Sequence, residues 1–64
     1  MPYILTQEPT SGQRLEAFNA LDDAFGTGEF TQGQAITVIE NALGENGTRI
    51  FQDLVNSGCV TEVD

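Results

Sequence analysis

Apolar residues recur at three- to four-residue steps in three separate stretches of the chain, and a glycine follows each stretch. This spacing places the apolar side chains on one face of an α-helix. It predicts helices over residues 12–25, 31–43 and 48–57, each ended by a glycine that tolerates a left-handed backbone. The positions predicted to form the core are Leu15, Phe18, Leu21, Phe25, Phe30, Ile36, Ile39, Leu43, Ile50, Phe51, Leu54 and Val60.

Polar residues at the predicted helix starts have the spacing of helix caps. Thr31 and Gln34 match a capping box, in which each side chain accepts a hydrogen bond from the backbone N–H of the other residue. The β-branched run at 36–39 is compatible with a strand, but this cap and the following Gly44 favour a helix. The other predicted caps are Thr10 or Ser11 for the first helix and Asn46 or Thr48 for the third.

Both ends of the chain contain short β-prone runs. A strand is predicted over residues 3–5 and another over residues 59–63, and residues 29–30 are expected to be briefly extended. Pairing of the two terminal runs with each other would cover an exposed strand edge, and pairing with another chain is the alternative. The sequence therefore predicts a mainly α fold: one three-helix domain over residues 1–64, with a minimal β-element formed by the N- and C-terminal segments.

The connection between the second and third predicted helices is short and contains two glycines. Residues 44–47 read Gly-Glu-Asn-Gly, which predicts a tight turn whose two glycines permit positive φ on both sides. Two helices joined in this way are typical of a helix-turn-helix unit.

The stretch from Leu54 to Val63 resembles part of a known fold family. It combines a helix that ends in Leu-Val-x-x-Gly, an apolar residue and a short strand. This is similar to the end of the second helix-turn-helix helix of winged-helix domains and the first strand of the wing. The resemblance covers about half of the chain and implies that residues 31–43 are the supporting helix and residues 48–57 the recognition helix. A second wing strand is not expected after Val63, because the sequence ends at Asp64.

The charge of the chain changes this picture. Ten acidic residues accompany two arginines and no lysine, which gives a formal net charge of −8. Such a chain repels nucleic acid in dilute salt. The acidic residues are scattered among apolar ones, so they predict a folded domain with an acidic surface. The lysine-free, acid-rich composition resembles that of halophilic archaeal proteins, which work in molar salt with a Debye length of about 3 Å.

The outward side of the third predicted helix contains the residues expected to contact DNA. Arginine, glutamine and asparagine read guanine and adenine edges by paired hydrogen bonds. Arg49 lies in the first turn, where a cation opposes the helix dipole. The alternative is a surface arginine paired with Glu45 or Asp53. The predicted nucleic-acid-binding residues are Thr48, Arg49, Gln52 and Asn56.

The residue types give little support for catalysis or for the binding of a cofactor or metal. The chain has no histidine and a single cysteine, so no catalytic residues, cofactor or metal site are expected and the protein is not expected to be an enzyme. Cys59 is expected to be a small buried hydrophobe. No apolar run approaches the ~18 residues of a membrane span, and the N-terminus does not resemble a secretory signal. A cytoplasmic protein without a membrane partner is expected.

Two hypotheses about function follow. The first is a non-enzymatic helix-turn-helix regulator that binds DNA in the concentrated salt of a salt-adapted cell. The second is an acidic interaction module, an adaptor or DNA mimic, that binds a basic protein. The architecture favours the first and the charge favours the second. A homodimer is expected, because two cations per chain are fewer than the six or more phosphate contacts usual in DNA binding.

Overall fold

The protein is mainly helical, with a small antiparallel sheet. The computed structural model describes residues 1–63. Each helix begins and ends within one residue of the bounds expected from the apolar spacing. In chain order, the elements are β1 Pro2–Leu5, α1 Gly12–Phe25, β2 Phe30–Thr31, α2 Gln32–Leu43, α3 Gly47–Asn56 and β3 Val60–Glu62.

The N-terminal strand β1 lies at the centre of the sheet, which has the order β2-β1-β3. Tyr3 pairs with Phe30 on one side and with Glu62 on the other, and both pairings are antiparallel. The Thr6 N–H then donates to the Cys59 carbonyl at 2.8 Å, which extends the contact between the two chain ends beyond β1. The predicted pairing of the terminal segments is confirmed, and the middle segment adds a third strand.

A compact core joins the helices to the sheet. Phe51 is fully buried, and its ring meets that of Tyr3 edge to face at a centroid distance of 5.1 Å. The rings of Phe25 and Phe30 stack at 5.0 Å. The buried hydrophobic residues of the core are Ala17, Leu21, Phe30, Ala35, Ile39, Ile50, Phe51, Leu54, Cys59 and Val60.

Leu15 is the exception among the predicted core residues, because it is only partly buried and lies outside the core cluster. α1 faces the core through Ala17, Leu21, Phe18 and Phe25. At 3.6 residues per turn, Leu15 lies roughly 100° around the helix from the centre of that face. Its side chain therefore belongs to the margin of the buried stripe.

Gly47 has a different role from the one that the sequence predicts. Gly44 has φ 85°, as expected, but the second positive φ belongs to Asn46, at 55°. Gly47 is the first residue of α3 and is buried. A Cβ atom at this position would lie 2.9 Å from the backbone oxygen of Ile36 in α2 and would also collide with the Glu40 side chain. Gly47 therefore permits the close approach of α2 and α3.

The capping box at the start of α2 is present. The Thr31 N–H donates to Gln34 Oε1 at 2.9 Å, and the Gln34 N–H donates to Thr31 Oγ1 at 3.1 Å. Ser11 and Asn46 occupy the N-cap positions of α1 and α3, but neither side chain makes a capping bond. Asn46 has a left-handed backbone, whereas a capping side chain normally sits on an extended one.

Candidate nucleic-acid interface

α3 is sharply divided into a buried and an exposed side. Arg49, Gln52 and Asn56 are exposed. At 3.6 residues per turn, they fall within a sector of about 60° that faces directly away from the buried stripe. We call these three residues the α3 stripe. The residues that point into the core are Gly47, Ile50, Phe51 and Leu54.

The structure brings together three of the four residues that were predicted to contact nucleic acid. The fourth, Thr48, is also exposed but lies about 70° around the helix from the centre of the α3 stripe. Asp53 lies at the opposite margin and is half-buried. The α3 stripe itself contains one cation, two amides and no carboxylate.

The Arg49 side chain forms no hydrogen bond with a neighbouring side chain within residues 1–63. Pairing with Glu45 or Asp53 was the alternative expected from the sequence. Within residues 1–63, none of the side-chain hydrogen bonds involves Arg49. Its guanidinium group is exposed and is available to a ligand.

The side chain of the second arginine, Arg14, lies at the C-terminal end of α3, the opposite end from Arg49. Arg14 belongs to the first turn of α1, yet its Nη1 donates to Ser57 Oγ at 2.6 Å. Ser57 is the C-cap residue of α3. Arg14 and Ser57 are separated by 43 residues in sequence, so no local pattern could have indicated this contact.

The acidic residues are unevenly distributed over the elements. Of the ten in the chain, α2 contains Glu40 and α3 contains Asp53. By contrast, Asp22, Asp23 and Glu29 are exposed where α1 ends and the chain leads into β2. With Glu45 in the turn between the two helices, residues 32–56 contain three of the ten acidic residues.

The surface of the described residues has hollows beside α2 and beside the C-terminal end of α3. An open apolar hollow of about 510 Å³ lies beside Phe25 and Val38. A smaller hollow of about 200 Å³, with a mixed polar and apolar lining, adjoins Arg14 and Ser57. Cys59, which also borders the smaller hollow, is buried with a free thiol.

Residues 1–63 contain no group of three His, Cys, Asp or Glu side chains placed to hold a metal ion. Over the same residues, no helix has the length and apolar character needed to cross a bilayer.

No protein-family model, curated protein or solved structure matches the chain.

Proposed function

We propose that this chain is a cytoplasmic, non-enzymatic helix-turn-helix protein that binds DNA and regulates transcription in a salt-adapted cell. The observation that carries the proposal is the α3 stripe, Arg49, Gln52 and Asn56, on the side of α3 opposite to the core. In this proposal α3 enters the major groove and α2 supports it.

The order of the elements supports a winged-helix-like arrangement. A helix, a very short strand, two helices and a further strand follow one another from α1 to β3. In a winged-helix domain the wing strands form an antiparallel pair. Here β1 pairs antiparallel with β3, through Leu5 with Val60 and Tyr3 with Glu62. The N-terminal strand thus supplies the partner that a second wing strand would otherwise provide.

The chemistry of the α3 stripe suits base recognition. The major groove is about 12 Å wide and admits one α-helix. There, arginine binds guanine and glutamine or asparagine binds adenine, each with two hydrogen bonds worth about 1–3 kcal/mol of discrimination. Arg49 is in the first turn of α3. In helix-turn-helix proteins, the N-terminal residues of the recognition helix usually contact the bases.

The net charge of −8 sets the conditions for binding. Of the ten acidic residues, Asp53 lies on α3 and Glu45 in the turn before it, so most of the repulsion of DNA comes from residues outside α3. The Debye length falls from about 10 Å at 0.1 M salt to about 3 Å at 1 M. Molar salt therefore removes most of this repulsion but leaves hydrogen bonds to base edges intact. A homodimer would present two such stripes to one DNA site.

An acidic interaction module is the second candidate, and the charge is the observation that favours it. Asp22, Asp23 and Glu29 are exposed where α1 ends and the chain leads into β2. Such a surface suits an adaptor or DNA mimic that binds a basic protein.

The test is a titration of fluorescently labelled duplex DNA of mixed sequence with the protein, in dilute and in molar KCl. We expect binding in molar KCl that is lost with Arg49→Ala and weakened with Asn56→Ala. Asn19→Ala is the matched control, because Asn19 is an exposed asparagine on α1, and it should leave binding unchanged. Absence of DNA binding at every salt concentration would overturn the proposal, and binding of polylysine by the same samples would then favour the acidic module.

A further inference from the structure

Arg14 is a residue of α1, and its side chain lies at the C-terminal end of α3. Its Nη1 lies 2.6 Å from Oγ of Ser57, the residue that follows α3. At a rise of about 1.5 Å per residue, Arg49 and Ser57 are about 12 Å apart along the helix axis. The two arginines of the chain are therefore placed near opposite ends of the helix that presents the α3 stripe.

This axial separation is similar to the width of the DNA major groove. The major groove is about 12 Å wide, and phosphates line both of its walls. When the first turn of a recognition helix contacts base edges, the far end of the helix lies near the sugar–phosphate backbone. A cation at the far end is thus placed to meet a phosphate, which positions a protein on DNA without reading its sequence.

We propose that Arg14 contacts a DNA phosphate and that Ser57 positions its guanidinium group; this inference rests on the proposed function. Guanidinium has five N–H donors, and one of them is used by the Ser57 hydroxyl. Arg14 is exposed, so the remaining donors can bind two phosphate oxygens at once.

The surroundings of Arg14 contain groups that would help and one that would oppose a phosphate. The lining of the hollow beside Arg14 is mixed, and it includes Gln7 and Thr10, whose amide and hydroxyl groups are common phosphate ligands. Glu8 lines the same hollow, and its carboxylate would repel a phosphate. Phosphate binding here should therefore be limited by Glu8.

A purely structural role for Arg14 makes a different prediction. An arginine near the C-terminal end of a helix interacts favourably with the helix dipole. Its replacement would then lower stability but would not change how DNA affinity depends on salt. Each phosphate contact, in contrast, contributes about −0.9 to the slope of log K against log [salt].

The experiment measures that slope for wild-type protein and variants, with the same mixed-sequence duplex in a series of KCl concentrations. Arg14→Gln should make the slope more positive by about 0.9, whereas Arg14→Lys should retain the wild-type slope. Ser57→Ala keeps the charge and should lower the affinity at an unchanged slope. A wild-type slope for a folded Arg14→Gln variant would overturn the inference.

Glu8→Gln provides a second test that does not alter Arg14. It should raise DNA affinity more than Asp23→Asn, the matched control, in which an exposed carboxylate is removed from the far end of α1. Equal effects of the two substitutions would contradict a phosphate beside Glu8. If wild-type protein binds DNA but these variants behave otherwise, only the role of Arg14 fails. If wild-type protein does not bind DNA at any salt concentration, the proposed function fails with it.

Discussion

Gly47→Ala is expected to destabilise the fold, because Gly47 lies where α3 comes close to α2. The added Cβ would be 2.9 Å from the Ile36 backbone oxygen, whereas ordinary contact begins at 3.4 Å, so the two helices must separate by about 0.5 Å. A backbone oxygen cannot rotate away as a side chain can. Overpacking of this kind costs about 1–3 kcal/mol.

An opposing term reduces this cost. Replacing glycine by alanine restricts the unfolded chain and stabilises a protein by about 0.4–1 kcal/mol where the backbone allows it. Gly47 does not have a positive φ, so the gain applies here too. The net loss expected for Gly47→Ala is about 1–2 kcal/mol, which corresponds to a fall in Tm of roughly 5–15 °C for a domain of this size.

Gly33→Ala is the matched control. Gly33 lies in the first turn of α2 and is exposed, and a Cβ there would be 4.0 Å from Thr31 Oγ1. Gly33→Ala should raise the free energy of unfolding by about 0.4–1 kcal/mol. The assay is urea denaturation in molar KCl, followed by circular dichroism. If Gly47→Ala proved as stable as Gly33→Ala, the close approach of α2 and α3 at this residue would be wrong.

Two further predictions concern stability. Phe51→Ala removes a fully buried ring that meets Tyr3 edge to face, and it should cost about 3–5 kcal/mol in denaturant unfolding; a wild-type melting curve would show that α3 does not pack as described. Thr31→Ala breaks the capping box with Gln34 and should cost about 0.5–2 kcal/mol. Thr37→Ala, an exposed threonine within α2, should change stability by less than about 0.5 kcal/mol, and an equal loss for both variants would argue against a specific cap.

The parts of the fold that follow from local sequence were predictable. Apolar spacing is a property of single helices, so it located α1, α2 and α3 without knowledge of their neighbours. The Thr31–Gln34 box joins residues three apart and was equally visible. The pairing of β1 with β3 was also predictable, because each terminal run needs a partner for its backbone.

Features that depend on the contact between elements could not be predicted. Gly47 and Gly44 look alike in sequence, but Gly47 is required by the proximity of Ile36 in α2. Arg14 joins the end of α3 through a contact that becomes visible only once α1 and α3 are packed together.

Some features of the candidate site could likewise be predicted from the sequence, and others could not. The outward placement of Arg49, Gln52 and Asn56 follows from helical periodicity alone. Arg49 has no side-chain hydrogen-bond partner within residues 1–63. This depends on where Glu45 and Asp53 lie in space, so the sequence could not predict whether either of them pairs with Arg49.

We propose that DNA binds to the α3 stripe, and NMR can test this residue by residue. The backbone amide signals of nitrogen-labelled protein are followed while mixed-sequence duplex DNA is added in molar KCl. We expect the shifts to concentrate on Arg49, Gln52 and Asn56, while the signals of Asp22 and Asp23 remain unchanged. Shifts confined to the acidic end of α1, or no shifts at any DNA concentration, would contradict it.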